Sequence, residues 1–290
     1  MDASRWDGAV GNGLARNVQS AYKWLGDNYA AGDQIFVLGF SRGAFTARSV
    51  VGFINRCGLP STPSWDLVSQ AFSLYRLDAK APSTIEALAR FKHDHPSAPE
   101  LEIHFVGVWD TVGVLGIPKT FNPLDIDWHN NRFHDLTLCP LVRNAYHALA
   151  IDGMRSNFAP TLWTGSIATN QQVEQVWFTG VHADVGGGYQ EDGLSDLTLN
   201  WMVEHASECG AVFRIEMLDQ LAPDAQGVLH DSYTGPFRLT ANDPRSFPDL
   251  STIGPVLPTG QKVHSSVANR RASTKCLTLG SSGWTIPPWP

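Results

Sequence analysis

Residues 34–38 (QIFVL) read as a continuous apolar run of strand length. They lead without a linker into Gly39-Phe40-Ser41-Arg42-Gly43, and then into Ala44, Ala47, Val51 and Ile54 at helical spacing. A strand with no polar alternation is buried on both faces, which implies a parallel sheet covered by helices. This unbroken strand–turn–helix passage sets the expected fold class: α/β, a mostly parallel central sheet flanked by helices. The helix stops at Gly58-Leu59-Pro60, residues that end helices.

The rest of the chain is read around that unit. Upstream, Val18, Ala21, Tyr22, Leu25 and Tyr29 mark an amphipathic helix from Asn17, broken at Gly32-Asp33. Downstream, helices are expected from Trp65 and from Ser83, where Ser83-Thr84-Ile85-Glu86 has the form of a capping box. Residues 101–109 (LEIHFVGVW) are a second buried strand, ending at Asp110. Residues 118–137 are polar and loop-like, with His129 and His134, and 138–151 are expected to be helical. A third strand, 173–181 (VEQVWFTGV), ends at His182 and runs into Asp184 and Gly186-Gly187-Gly188; a helix follows over 194–209. Beyond Leu221, prolines 223, 236, 244, 248, 255 and 258 interrupt regular structure. The expectation is a single domain over residues 1–290, with its core at about 11–210 and an irregular extension, 211–290, completing it.

Composition removes several function classes. With 290 residues, 43% hydrophobic and 17% charged, the chain can bury a sizeable core and is not of disordered type. A net charge of −7 argues against nucleic-acid binding, which needs a basic face. No apolar run approaches transmembrane length and the first residues lack a signal-peptide core, so cytoplasmic residence is the default expectation. Cys57, Cys139, Cys209 and Cys276 are scattered, as reduced core thiols would be.

A parallel sheet presents functional residues at the carboxyl ends of its strands. Here the three clearest strands end at Ser41, Asp110 and His182: nucleophile, acid and base, in the chain order of α/β-hydrolases. A serine hydroxyl needs a base to take its proton, and a carboxylate to fix the imidazole tautomer. Gly39 and Gly43 flank Ser41 at the spacing of a strained strand-to-helix turn, and the N–H of Arg42 becomes an oxyanion donor. Asp184 competes with Asp110 as the acid, and His264 competes with His182 as the base. A metal-dependent hydrolase built on His182, Asp184, Asp110, His129 and His134 is a weaker alternative, since no HExxH-like pairing appears. His147, in a stretch with Arg143, is expected to be structural. No metal or organic cofactor is implied.

The segments GFSRGAFTAR, FVGVWDTVG, YHALAIDG and WFTGVHADVGGGY resemble, in order and spacing, the α/β-hydrolase family that holds type VI secretion phospholipase effectors. The likeness runs from about Gly11 to at least Leu194–Met202, and HDSYTG and VHSSVANR further on are similar to family segments. The resemblance implies Ser41, Asp110 and His182 as the triad, ester hydrolysis, a phospholipid or other ester as substrate and peripheral contact with membranes. An effector would also be delivered outside the producing cell; the oligomeric state stays open. Arg42 and Arg48 match arginines of the serine motif, with structural or orienting work. The family also implies an opening strand ending in Asp-Gly-Thr, which this sequence lacks, and an acidic residue where Gly153 stands. The expected architecture is therefore N-terminally truncated relative to the family, with the edge of the serine strand unpaired and one oxyanion donor missing. A catalytically inactive relative acting as a binding protein is the corresponding alternative function.

Overall fold

The computed structural model describes residues 4–112, 137–154, 160–232, 245 and 261–272, the side chains of 4–12 and 271–272 excepted. Among these, helix α1 (Ser4–Asn28) leads into strand β1 (Ile35–Phe40) and helix α2 (Arg42–Cys57). Helices α3 (Trp65–Tyr75) and α4 (Pro82–Asp94) precede strand β2 (Ile103–Trp109). Strands β3 (Val142–Ala150) and β4 (Gln172–Phe178) follow, then the short helix α5 (His182–Gly186) and helix α6 (Gly193–Glu208). Helix α7 (Ile215–Leu218), strand β5 (Gln261–Val263) and helix α8 (Ser265–Ala272) complete the described elements. The five strands form one sheet in the order β1-β2-β3-β4-β5, and every pairing is parallel. This is an α/β architecture, a parallel sheet with helices on both faces.

Two apolar clusters sandwich the sheet. One gathers Tyr22 of α1, Ala47, Phe53 and Ile54 of α2, Phe72 of α3 and Phe91 of α4 against Ile103, Val106 and Val142. The other packs Trp201, Met202 and Ala206 of α6 on Phe105, Tyr146, Val176 and Phe178. Tyr22 stacks on Phe53 with centroids 3.9 Å apart, and its hydroxyl donates to the Gly58 carbonyl at 2.8 Å, so a buried polar group is satisfied where α2 ends.

Three expectations need correction or refinement. Residues 138–151 are not helical: Val142–Ala150 is the central strand β3, hydrogen-bonded to β2 and β4 on either side. Val142 and 145–150 are all buried. A strand buried on both faces carries no period of two, and its pairing partners decide its conformation over the helix propensity of its alanines and leucine. Helix α4 starts one residue before Ser83: Pro82 takes the first helical position and Ala81 the cap, with no side-chain cap. Helix α1 reaches back to Ser4, well before Asn17. The polar segment expected at 118–137 falls almost wholly outside the described residues.

β1 stands at the edge of the sheet among the described residues, with Leu38 49% exposed. Its register sets Phe40 beside Trp109, and Trp109 pairs in turn with Ala148. The residues just beyond β1 and β2 therefore emerge side by side at the carboxyl end. No helix among the described residues is long and apolar enough to cross a membrane.

Candidate active site

Ser41 follows β1 directly and occupies the cap position of α2 with φ 57° and ψ −119°. A non-glycine residue at positive φ costs on the order of 1–3 kcal/mol and persists only where its surroundings over-determine it. Here they do. The Ser41 N–H donates to the Trp109 carbonyl at 3.0 Å, and the Ser41 carbonyl accepts from the Phe45 N–H at 3.1 Å. A side chain at Gly39 would place its Cβ 2.6 Å from the carbonyl carbon of Gly43, so only glycine lets α2 start this close to the strand. Gly43 is different, since a Cβ there meets nothing within 4 Å. Close packing thus accounts for Gly39 and not for Gly43. Ser41 does not cap α2 with its own side chain. Instead, its Oγ lies 2.8 Å from His182 Nε2. The Arg42 N–H heads the helix without a hydrogen-bond partner among the described residues, next to Ser41 and within the positive end of the helix dipole.

His182 has to cross the sheet to reach Ser41. β4 lies three strand spacings from β1, about 14 Å at ~4.8 Å per spacing. Residues 179–181 and the His182 side chain make that return, and α5 begins at His182. The turn into it runs through Gly180 at φ 132°, where a Cβ would fall 2.5 Å from Asp184 Cβ. Asp152 braces the turn: its Oδ2 accepts the Gly180 N–H at 2.8 Å, and its own N–H donates to the Gly180 carbonyl at 3.0 Å. At the far end of α5, Gly186 packs directly against the Phe40 ring, which ties the helix to the end of β1. The Phe40 ring also lies 4.6 Å from the His182 imidazole.

Asp110 is fully buried, with φ 39°. His182 Nδ1 donates to its Oδ2 at 2.6 Å, which leaves Nε2 as the acceptor for the Ser41 hydroxyl. The Ala150 N–H donates to Oδ1 at 3.1 Å. Arg245 then closes on the carboxylate with both guanidinium nitrogens, Nη1 to Oδ1 at 2.6 Å and Nη2 to Oδ2 at 2.7 Å. Nη1 donates as well to the Ala150 carbonyl at 2.6 Å. Burial opposes the Asp110 charge. The positive charge of Arg245 and the hydrogen bonds from His182 and Arg245 outweigh it, holding the carboxyl well below the usual carboxylate range. Arg245 was not among the residues singled out from the sequence. Gly153 makes room for it: a Cβ there would lie 2.7 Å from the guanidinium carbon.

The competing assignments fall elsewhere. Asp184 does not reach His182; its Oδ1 takes His230 Nδ1 at 2.6 Å, and its Oδ2 takes the Val181 N–H at 3.0 Å. His264 sits beyond β5, where its ring stacks on Phe178 at 4.6 Å and bonds the Ser266 hydroxyl at 2.8 Å. Burial lowers its pKa. His147 is on β3, not on a helix, and fully buried; its Nε2 accepts from the Thr111 N–H at 3.1 Å. Burial, helped by the Arg48 charge, pushes its pKa down to about 3, so it stays neutral and structural. Arg48 donates to the Thr161 carbonyl and lies over the Trp163 ring at 5.1 Å, bracing the strand ends beside Asp110. Arg42 is exposed. Among the described residues no group of three or more His, Cys, Asp or Glu side chains could hold a metal ion. His129 and His134 lie outside those residues. Cys57, Cys139 and Cys209 are free thiols.

A cavity of about 500 Å³ adjoins the site on the α6 side of β1. Leu38, Phe40, Trp109, Val185, Tyr189 and Leu199 line it together with Gly186, Gly187 and Gly188. Ser41 and His182 do not line it, while Gly39, Phe40, Trp109 and Gly186 border both.

Residues 2–205 match the protein family described as the phospholipase effector Tle1-like catalytic domain of the type VI secretion system. The chain belongs to that family. An uncharacterized protein of Saccharomyces cerevisiae, YEL023C, is 29% identical over 158 residues, covering 52% of this chain and 22% of that protein. An uncharacterized protein from Pseudomonas aeruginosa, solved as a crystal structure, aligns with a TM-score of 0.39 at 21% identity, over 67% of this chain and 27% of that one. The Tle1 effector bound to the VgrG spike of the type 6 secretion system aligns with a TM-score of 0.31 at 24% identity, over 64% of this chain and 32% of the other. The family member described here thus spans less than a third of the length of each of these relatives.

Proposed function

We propose that this chain is a serine ester hydrolase acting on phospholipids, with Ser41 as nucleophile, His182 as general base and Asp110 as the acid that orients the imidazole. The observation that carries this reading is the hydrogen-bonded line Asp110–His182–Ser41, at 2.6 and 2.8 Å, ending on a serine in a left-handed turn at a helix N-terminus. His182 Nε2 takes the hydroxyl proton as Oγ attacks the ester carbonyl carbon, and the Arg42 N–H stabilises the oxyanion. The same imidazole then delivers the proton to the leaving alkoxide, and water releases the acyl group from Ser41 by the reverse sequence. Arg245 adds a fourth member, keeping Asp110 ionised in a fully buried position. Family membership supports phospholipid over other esters, and with it peripheral membrane contact and delivery outside the producing cell. We further propose one domain for residues 1–290. Its support is that β5 pairs with β4 and Arg245 docks on Asp110, so segments beyond residue 210 contribute to sheet and site.

The test is intact-mass analysis after fluorophosphonate treatment of the wild type and of Ser41→Ala. One adduct on the wild type, absent from the variant, is expected. A folded wild type that takes no adduct would refute the serine mechanism and leave the binding-protein alternative. Labelling that persists in Ser41→Ala would refute the assignment of the nucleophile.

A further inference from the structure

A second histidine–carboxylate pair stands one turn from the first. Helix α5 has five residues, too few to hold its own shape or direction in water. Its geometry is imposed through Asp184, its third residue, whose side chain has no exposed surface. A buried carboxylate needs donors, and this one has three: the Val181 N–H at 3.0 Å, the His230 N–H at 3.2 Å and His230 Nδ1 at 2.6 Å. His230 supplies two of the three. Its ring is fixed in turn by residues on the far side of α5. Tyr189 lies flat against it, centroids 3.7 Å apart and planes 13° apart, and Glu191 Oε2 faces Nε2 at 3.3 Å. His230 therefore grips α5 inside its first turn and again just past its end.

We infer that His230 is a positioning residue for the Ser41–His182 reaction, acting through Asp184. This rests on the serine-hydrolase reading above. His182 is the first residue of α5 and adjoins Val181, whose N–H Asp184 holds. The 2.8 Å contact between Nε2 and Ser41 Oγ is thus only as well set as that first turn. A displacement of about 1 Å at a reacting group costs up to roughly 100-fold in rate, and His230 touches neither Ser41 nor His182 itself.

The experiment compares His230→Ala and His230→Asn on the full chain. Three readouts are needed: the fluorophosphonate labelling rate at Ser41, kcat and KM on a p-nitrophenyl ester, and the melting temperature. An asparagine amide takes the place of Nδ1 and keeps a donor on Asp184. Labelling and kcat of His230→Ala should fall about 10- to 100-fold with KM nearly unchanged. His230→Asn should recover most of that loss. Wild-type labelling in His230→Ala would overturn the inference, as would an asparagine variant as slow as the alanine one. Should His230→Ala fail to fold, His230→Asn against His230→Gln decides. Glutamine carries its amide at the position of Nε2, so labelling faster in the asparagine variant supports the inference, and equal rates overturn it. A wild type that does not label at all removes the serine-hydrolase reading itself, a failure distinct from a labelled wild type matched by His230→Ala.

Discussion

Arg245→Met removes the charge behind the buried carboxylate while keeping much of the side-chain length. Two consequences follow from the geometry. Arg245 is 4% and Asp110 0% exposed on the side chain, so the substitution leaves an unpaired charge in the interior. Breaking such a pair costs about 3–5 kcal/mol; at roughly 2–4 °C per kcal/mol for a domain of this order, the melting temperature should drop by roughly 6–20 °C. For activity, an upper bound is the loss of about 10⁴-fold when a triad carboxylate is replaced by an amide. Asp110 keeps the Ala150 N–H and His182 as partners, so a smaller loss is expected, about 100-fold, or ~2.7 kcal/mol of transition-state stabilisation. The pH dependence has a definite sign. With Arg245 present the Asp110 pKa lies below its usual range; without it only His182 opposes burial, and the pKa moves up. The acid limb of the labelling rate should therefore move to higher pH. Arg245→Lys, with a charge but no two-pronged fork, should fall between. Labelling rates from pH 4 to 8 alongside thermal unfolding provide the assay. An Arg245→Met protein with wild-type melting temperature, labelling rate and acid limb would refute the role given to this arginine.

Gly39→Ala forces a Cβ against the Gly43 backbone and should abolish labelling while destabilising the chain by about 1–3 kcal/mol in denaturant titration. Gly43→Ala, with open space at its Cβ, should stay close to wild-type stability. Gly153→Ala pushes a methyl into the Arg245 guanidinium, and its loss of labelling should be far from additive with that of Arg245→Met in a double-mutant cycle. His147 is neutral when folded, with a pKa pushed down to about 3, and titrates near ~6.5 when unfolded. The unfolded chain therefore gains a proton that the folded one refuses as pH falls from ~6.5 toward 3, and stability declines across that window. His147→Gln should flatten the dependence of melting temperature on pH between 7 and 5; an unchanged slope would contradict this.

The parts of the site contiguous with hydrophobic strands were legible in the sequence. Ser41, Asp110 and His182 each follow an apolar run closely, so strand ends and side-chain chemistry pointed to the same places. β3 was not legible as a strand, because VRNAYHALA is buried on both faces and its residues sit at positions a helix would also fill. Arg245 left no signal at all: it falls 135 residues after Asp110, in a proline-interrupted stretch where no periodicity aims a side chain. Asp184, the disfavoured competitor of Asp110 for His182, pairs elsewhere for a local reason. Two residues on within α5, its carboxylate turns back to the helix start and to His230, a pairing 46 residues apart that only the folded chain creates.

The edge position of β1 has a consequence for how the proposed activity would be lost. Amide protons of β2 and β3 are shielded by ladders on both sides, whereas β1 is bonded on one side only among the described residues. Subglobal opening selects the element with the fewest partners. Hydrogen exchange in β1 should therefore outpace that of β2 and β3, and mild denaturant should silence Ser41 while the two-sided strands remain protected. On the proposed mechanism, Ser41 then acts as a sensor of local fraying and stops labelling before the fold is lost.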